Sequence, residues 1–309
     1  MKLAQASFII FNLNVPASSF EAVKAGNAGN MALRMPAAAV APRREVSMTI
    51  PIITLTTDFG TRDPWVGIMK GVMLGVCPEA HLVDLTHEIA PQDVLEAAMA
   101  LESATRFFPE GTVHLAVVDP GVGGSRHPIA ARAGGHLFVG PDNGLFTFAL
   151  ERAGPDRVVV RLEAPQYRLT PLSRTFHGRD LFAPAAAHLA AGLALERLGP
   201  RLTDPVLLPV PRARRDGNMV VGEVLVADRF GNLVTSVTDK DIQILGGPTA
   251  VEVGSRNLGR PRDSYVDGTI AEPAAIIGSA GRLEIFVRDG SAAAVLGASR
   301  GTSVRVRRV

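Results

Sequence analysis

The chain has a single cysteine, Cys77. An internal disulfide and a metal cage built from thiolates are therefore excluded, which fits a reducing compartment. Cys77 lies within the apolar run Met73-Leu74-Gly75-Val76-Cys77 and reads as buried filler. Long hydrophobic runs are also missing. Stretches such as Ile52 to Leu55 and Leu115 to Val118 fall far short of the ~20 residues that span a bilayer, so no membrane partner is expected. Charge of one sign is scarce as well, with 32 Lys and Arg against 30 Asp and Glu giving +2 at pH 7. Nothing in that balance calls for nucleic acid.

What the chain does have is apolar material. Hydrophobic residues make up 47% and charged ones 20% of 309 residues, enough for a folded, soluble protein whose length suggests two domains. Residues 1–48 differ from the rest, with weak periodicity and scattered Ala, Ser, Asn and Gly. Their apolar patch Phe8-Ile9-Ile10-Phe11 lacks the flanks of a secretion signal. This stretch is expected to be a disordered extension or a mis-assigned start, with Met31 and Met48 as alternative first residues.

From residue 49 to 198, short apolar runs alternate with helical windows. Strands are expected at Ile52 to Thr57, His81 to Leu85, Val113 to Val118, Ile129 to Ala131, Leu137 to Val139 and Val158 to Leu162. Helices are expected at Pro64 to Val76, Asp93 to Phe107, Leu145 to Arg152 and Leu181 to Leu195. That alternation predicts an α/β domain with a mostly parallel sheet. Residues 199–216, rich in proline and arginine, read as a linker. Residues 217–309 hold only short strand-like runs between turns such as Phe230-Gly-Asn and Arg288-Asp-Gly, predicting a smaller all-β, barrel-like domain.

Ligands of open parallel sheets bind beyond the carboxyl ends of the strands. Three polar motifs fall there: Thr56-Thr57-Asp58-Phe59-Gly60, Asp119-Pro-Gly-Val-Gly-Gly-Ser-Arg126, and Thr175-Phe-His-Gly-Arg-Asp180. Each also has a plainer explanation. Asp58 would suit a helix cap ahead of Pro64, the glycines a tight turn, Arg126 a surface charge, and Asp142-Asn143-Gly144 an ordinary turn. Asp58-Phe-Gly spells the kinase magnesium triplet without its accompanying loops. No phosphate-binding loop or two-histidine zinc helix is present. His81, Asp84 and His87 do not make a metal site, because strand alternation puts His81 and Asp84 on opposite faces.

Taken together, six motifs in order resemble the S-adenosyl-L-methionine (SAM) hydroxide adenosyltransferases, or SAM hydrolases, sister enzymes of the fluorinases and chlorinase. They are the three above plus Gly140-Pro-Asp-Asn-Gly-Leu145, Asp228-Arg-Phe-Gly-Asn232 and Arg282-Leu-Glu-Ile285. The resemblance runs from about Ile52 to the C-terminus. It implies an α/β domain joined to a barrel-like domain, and a homotrimer with sites between subunits. It also implies an enzyme that needs no metal or other cofactor and splits SAM into adenosine and L-methionine; the lack of a convincing secretion signal, and the place where SAM is found, make the cytoplasm the expected location. Asp119, Arg126 and His177 match the family's water-handling triad, and Asp58 its ribose-binding aspartate. Asp228 and Asn232 match residues that hold the methionine portion, Phe230 the neighbouring apolar wall, and Ser279 a further ligand contact. Where many relatives have Asn, this chain has Gly278. The resemblance leaves two rivals: a halogenase, which would lack Asp119 and carry an inserted loop after it, and a protein that binds an adenosyl ligand without turnover.

Overall fold

A computed structural model describes residues 50–309. The stretch 1–48 expected to be an extension lies outside the described residues. The first sheet contains β1 (Ile52–Thr57), β2 (His81–Thr86), β3 (Val113–Val117), β4 (Pro128–Ala133), β5 (His136–Pro141) and β6 (Val158–Arg161), in the order β2-β1-β3-β5-β4-β6. Strands β2, β1, β3 and β5 are parallel, while β4 runs against both of its neighbours. The sheet is thus mixed, with a parallel half that carries the motif loops. The reversal comes from Gly134 and Gly135, which follow β4 directly and both have positive φ. Two such residues form the tight hairpin turn whose twist matches the flanking strands.

Strands β1 and β3 are buried on both faces, and this is why their sequences show no apolar–polar alternation, with the threonines of β1 and His114 of β3 buried among the apolar residues. On one face, Ile53, Leu55 and Leu115 pack with Met69 and Met73 of helix α1 (Trp65–Val76). On the other, Ala116, Val118 and Phe138 pack with Ala97 and Leu101 of α2 (Val94–Ala104) and Leu150 of α3 (Thr147–Ala153). Helix α4 (Ala183–Ala190) joins α1. It is shorter than the expected Leu181 to Leu195, because a π turn at Gly178–Phe182 precedes it and Gly192, at φ 92°, follows it. Alanine-rich sequence has no period to show these ends.

The second domain is an antiparallel sheet of β7 (Arg214–Asp216), β8 (Met219–Ala227), β9 (Leu233–Thr238), β10 (Thr249–Val253), β11 (Arg256–Gly259), β12 (Pro273–Ile277), β13 (Arg282–Val287) and β14 (Ser303–Arg308). Its main path is β11-β10-β14-β8-β9-β13-β12, with β7 on β8. The Arg262 N–H donates to the Ala275 carbonyl at 2.7 Å, bringing the two ends together into a nearly closed barrel. Val224, Leu233, Val251, Ile285 and Val304 fill it.

The stretch read as a linker is not slack. Leu202 N–H donates to the Val159 carbonyl, Val206 N–H to Asp142 Oδ1 and Leu208 N–H to Thr147 Oγ1, all within 2.9 Å. Its last three residues are β7 itself. Helix α2 meets the second domain through Arg282 on Glu102 at 2.9 Å and Arg300 on Asp93.

The first core also buries a histidine. His114 is fully inaccessible, bonded through Nδ1 to Thr54 Oγ1 at 2.8 Å, with the His136 ring 5.0 Å away and tilted by 60°. Burial, aided by His136, pushes its pKa down to about 3. The unfolded chain, with histidine near 6.5, takes up a proton that the folded one refuses between those values. Stability should therefore be flat above pH ~6.5 and fall on acidification below it, by about 1.4 kcal/mol per pH unit for this one group. Denaturant titrations between pH 5 and 8 should show that fall, with a reduced slope in His114→Gln.

Candidate active site

The opening and third strands end side by side, with Thr57 opposite Val117 in register. Asp58 and Asp119 therefore emerge from adjacent strand ends, at the edge where open sheets hold ligands. Asp58 does not cap α1, whose N-terminal residue Pro64 is met by no side chain. Its Oδ2 instead accepts the Gln92 N–H at 2.8 Å.

Asp119 is gripped by Arg126. Nε donates to Oδ1 at 2.9 Å and Nη2 to Oδ2, a bidentate pair with only 5% and 10% of the two side chains accessible. The same Nη2 reaches Nδ1 of His177 at 2.8 Å. A guanidinium can only donate, so Nδ1 presents its lone pair and neutral His177 carries its proton on Nε2. Burial first, and Arg126 second, pull the His177 pKa below its ordinary value, against the opposing pull of Asp119 and Asp180. The ring is held in its neutral form.

Three loops must converge for this contact to exist. Gly123, at φ 74°, brings the second motif against the loop ahead of His177, so closely that a Cβ there would stand 2.3 Å from the Arg174 carbonyl. Asp180, almost wholly buried, accepts Arg179 Nε at 2.6 Å and Ser173 N–H at 2.8 Å. Burial alone would raise its pKa, but those bonds hold it below the usual carboxylate range. It fastens the loop before His177 to the π turn after it. Asn143, in a turn that composition would dismiss, donates Nδ2–H to the Val118 carbonyl at 2.9 Å and so pins the peptide leading into Asp119. These braces were missed because side-chain contacts to backbone leave no pattern in the sequence. The Asp-Asn-Gly and Gly-Arg-Asp motifs were their only signal.

Asp58, Gln92, Asp119, Val122, Phe176 and His177 line a pocket of about 340 Å³. Arg126 lies behind Asp119 and His177 and stacks on the Phe182 ring at 5.3 Å. Its charge reaches the pocket through them.

The second-domain residues form a separate group. Asp228 Oδ1 accepts the N–H groups of Phe230 and Asn232 at 2.9 and 2.8 Å, and Oδ2 accepts Asn232 Nδ2–H at 2.9 Å. This tight turn leaves Phe230 77% exposed. Asp228, Phe230, Asn232, Tyr265, Phe286 and Arg288 line a pocket of about 630 Å³. Tyr265, which sequence reasoning missed, donates to Glu284 Oε2 at 3.0 Å, and burial and that carboxylate push its pKa up to about 12. Ser279 is not brought to this pocket. It sits exposed in the turn between β12 and β13, its carbonyl accepting from Arg106 at 2.8 Å. Gly278 leaves room for the Glu284 carboxylate, which a Cβ there would displace.

Among the described residues none lines both pockets, and no cluster of three His, Cys, Asp or Glu side chains is gathered to hold a metal. No described helix is long and apolar enough to cross a membrane. Gly123→Ala should destabilise the fold by roughly 1–3 kcal/mol through its positive φ and the blocked approach to Arg174. Denaturant midpoints compared with an alanine at Gly217, where φ is also positive but space is open, would isolate the steric part.

Comparison with known proteins gives a consistent answer. Residues 53–199 match the model of the SAM hydroxide adenosyltransferase N-terminal domain, and residues 222–305 that of the C-terminal domain. An (R)-S-adenosyl-L-methionine hydrolase from Thermus thermophilus is 45% identical over 81% of this chain and 97% of its own length. One from Salinispora tropica is 38% identical over 83% and 97%. A fluorinase from Nocardia brasiliensis is 32% identical over 63% and 74%. A solved structure of a conserved protein from Thermotoga maritima superposes with a TM-score of 0.77 at 35% identity, covering 83% of this chain and all of that one. Both domains match, in order and along most of the described chain, so the protein belongs to the SAM hydroxide adenosyltransferase family.

Proposed function

We propose that the protein hydrolyses SAM to adenosine and L-methionine, and that Asp119, Arg126 and His177 handle the attacking water. The observation that carries this reading is the Arg126 bridge between Asp119 and His177 on the wall of a pocket shared with Asp58. In SAM the sulfur is already a cation. When a water oxygen attacks ribose C5′, the C5′–S bond breaks, its electron pair goes to sulfur, and methionine leaves neutral with no acid required. Asp58 accepts hydrogen bonds from the ribose diol. His177 offers Nε2–H to the water, and Asp119 is the acceptor left for the departing proton, because Nδ1 of His177 already faces Arg126. Holding water and C5′ in line supplies much of the barrier reduction, ~7 kcal/mol or more in well-oriented cases.

The second-domain residues Asp228 and Asn232 take the methionine portion, with Phe230 as an apolar wall. No residue lines both pockets, and Phe230 stands bare. This supports a homotrimer in which one subunit's first domain faces its neighbour's second. SAM is then the substrate, no cofactor takes part, and the working location is the cytoplasm, where SAM is found. Against a halogenase stands Asp119, whose charge beside the nucleophile position repels a halide.

Chromatography of a SAM incubation, in halide-free buffer and with chloride or fluoride, should give equal adenosine and methionine in every buffer. Asp119→Ala and His177→Ala should each lose about a hundredfold or more. A halogenated nucleoside, or ligand binding without turnover, would overturn the reading. The lowered His177 pKa keeps the ring neutral on mild acidification, so kcat should hold its plateau from pH 7 to below 6.5 before falling. Mixing two inactive variants, Asp119→Ala and Asp228→Ala, should restore part of the activity through hybrid sites. No recovery after verified subunit exchange would refute sites shared between subunits.

A further inference from the structure

Beneath Asp58 lies a row of side chains that the proposed reaction leaves unused. Thr57, the last residue of β1, is fully buried, and its Oγ1 stands 2.8 Å from Nδ1 of His87. The same oxygen accepts the Phe59 N–H at 3.2 Å. On the other side of the ring, Nε2 lies 2.9 Å from Asp84 Oδ1, in a geometry that falls short of a hydrogen bond. Lys70 Nζ holds Asp84 Oδ2 at 2.6 Å. The main chain adds two ties between the same loops. The His87 carbonyl accepts the Gly60 N–H at 2.8 Å, and Asp58 Oδ2 accepts the Gln92 N–H at 2.8 Å. Gln92 makes this bond from φ 67°, a conformation rarely adopted by residues with a side chain.

One proton arrangement suits the whole row. The Asp84 charge favours the imidazole proton on Nε2, which leaves the Nδ1 lone pair for Thr57. The threonine hydroxyl then donates to Nδ1 and accepts from Phe59, filling both of its roles. A carboxylate, an imidazole and a hydroxyl in a line look like a nucleophile relay, but Thr57 has no accessible surface and meets no substrate. The row ends at the turn that carries Asp58.

We propose that Asp84, His87 and Thr57 are positioning residues for Asp58. They lock the turn from Thr57 to Gly60 so that the Asp58 carboxylate meets the ribose diol already oriented. This rests on the reading of Asp58 as the ribose-binding residue. A row that served only the stability of the first domain would lower the melting temperature and leave ligand affinity unchanged. A positioning row shifts affinity and KM in a protein that still folds.

The test is calorimetric titration of the full chain with adenosine, together with SAM kinetics and a melting curve for each variant. Asp58→Ala should weaken adenosine binding, and an unchanged affinity there would sink the ribose reading itself. Given that loss, Thr57→Val should raise the adenosine Kd and the KM for SAM by about five- to tenfold, with kcat less affected, while Thr57→Ser, which keeps the hydroxyl, stays within about twofold of the parent. A folded Thr57→Val that binds adenosine like the parent overturns the proposal. Asp84→Asn acts from the solvent-facing end of the row, where folding is not at stake, and should raise the Kd about threefold. If Thr57→Val does not fold, an unchanged Kd in Asp84→Asn overturns the proposal on its own.

Discussion

The first domain is organised around one buried cation. Arg126 cannot shed its proton, so its burial depends on the two oxygens of Asp119 and on the lone pair of His177. Three loops separated by up to 58 residues in sequence, from Asp119 to His177, have to arrive together for those partners to exist. The glycine that admits the Arg174 carbonyl, the Asp180 clasp and the Asn143 pin all serve that arrival. Without any one of them the guanidinium would keep its charge and lose a partner, which in a dry site is among the costlier defects a fold can carry.

The two pockets treat their titratable groups in opposite ways. Around His177, arginines sit beside carboxylates, so Asp180 stays ionised and the imidazole stays neutral. Around Tyr265, by contrast, burial and the nearby Asp228 raise the Glu284 pKa, while the phenol keeps its proton. Carboxylates stand on both walls, Asp58 and Asp119 at the first pocket and Asp228 and Asp289 beside Arg288 at the second.

Much of this was legible in the sequence, for physical reasons that differ by element. β1 and β3 were visible because strands buried on both faces carry no exposed polar face, so they read as near-continuous runs rich in Ile, Val, Leu and Thr. The motif loops were visible because glycines, an aspartate and an arginine in short order have few other uses. What stayed hidden was direction and partnership. The runs of β4 and β5 were plain, but only the paired positive-φ glycines make them a hairpin. The alanine-rich segment gave no sign of its π turn. Asp58 read equally well as a helix cap, and its contact with the Gln92 amide could not be seen, since any residue has that N–H. Ser279 shows the limit of resemblance: a matching position in sequence does not bring the side chain to the pocket in this chain.

The strap from residue 199 to 216 has a mechanical consequence. Its amides are tied to β6, to Asp142 and to α3 before it enters the barrel, and α2 clamps the second domain from another side. The second domain is thus tied to the first at two separate places, and their contact does not rest on the strap alone. The loop from Leu169 to Thr175 borders the first pocket through Thr175, carries the exposed side chains of Leu169 and Leu172, and is itself held by the Ser173 N–H on Asp180.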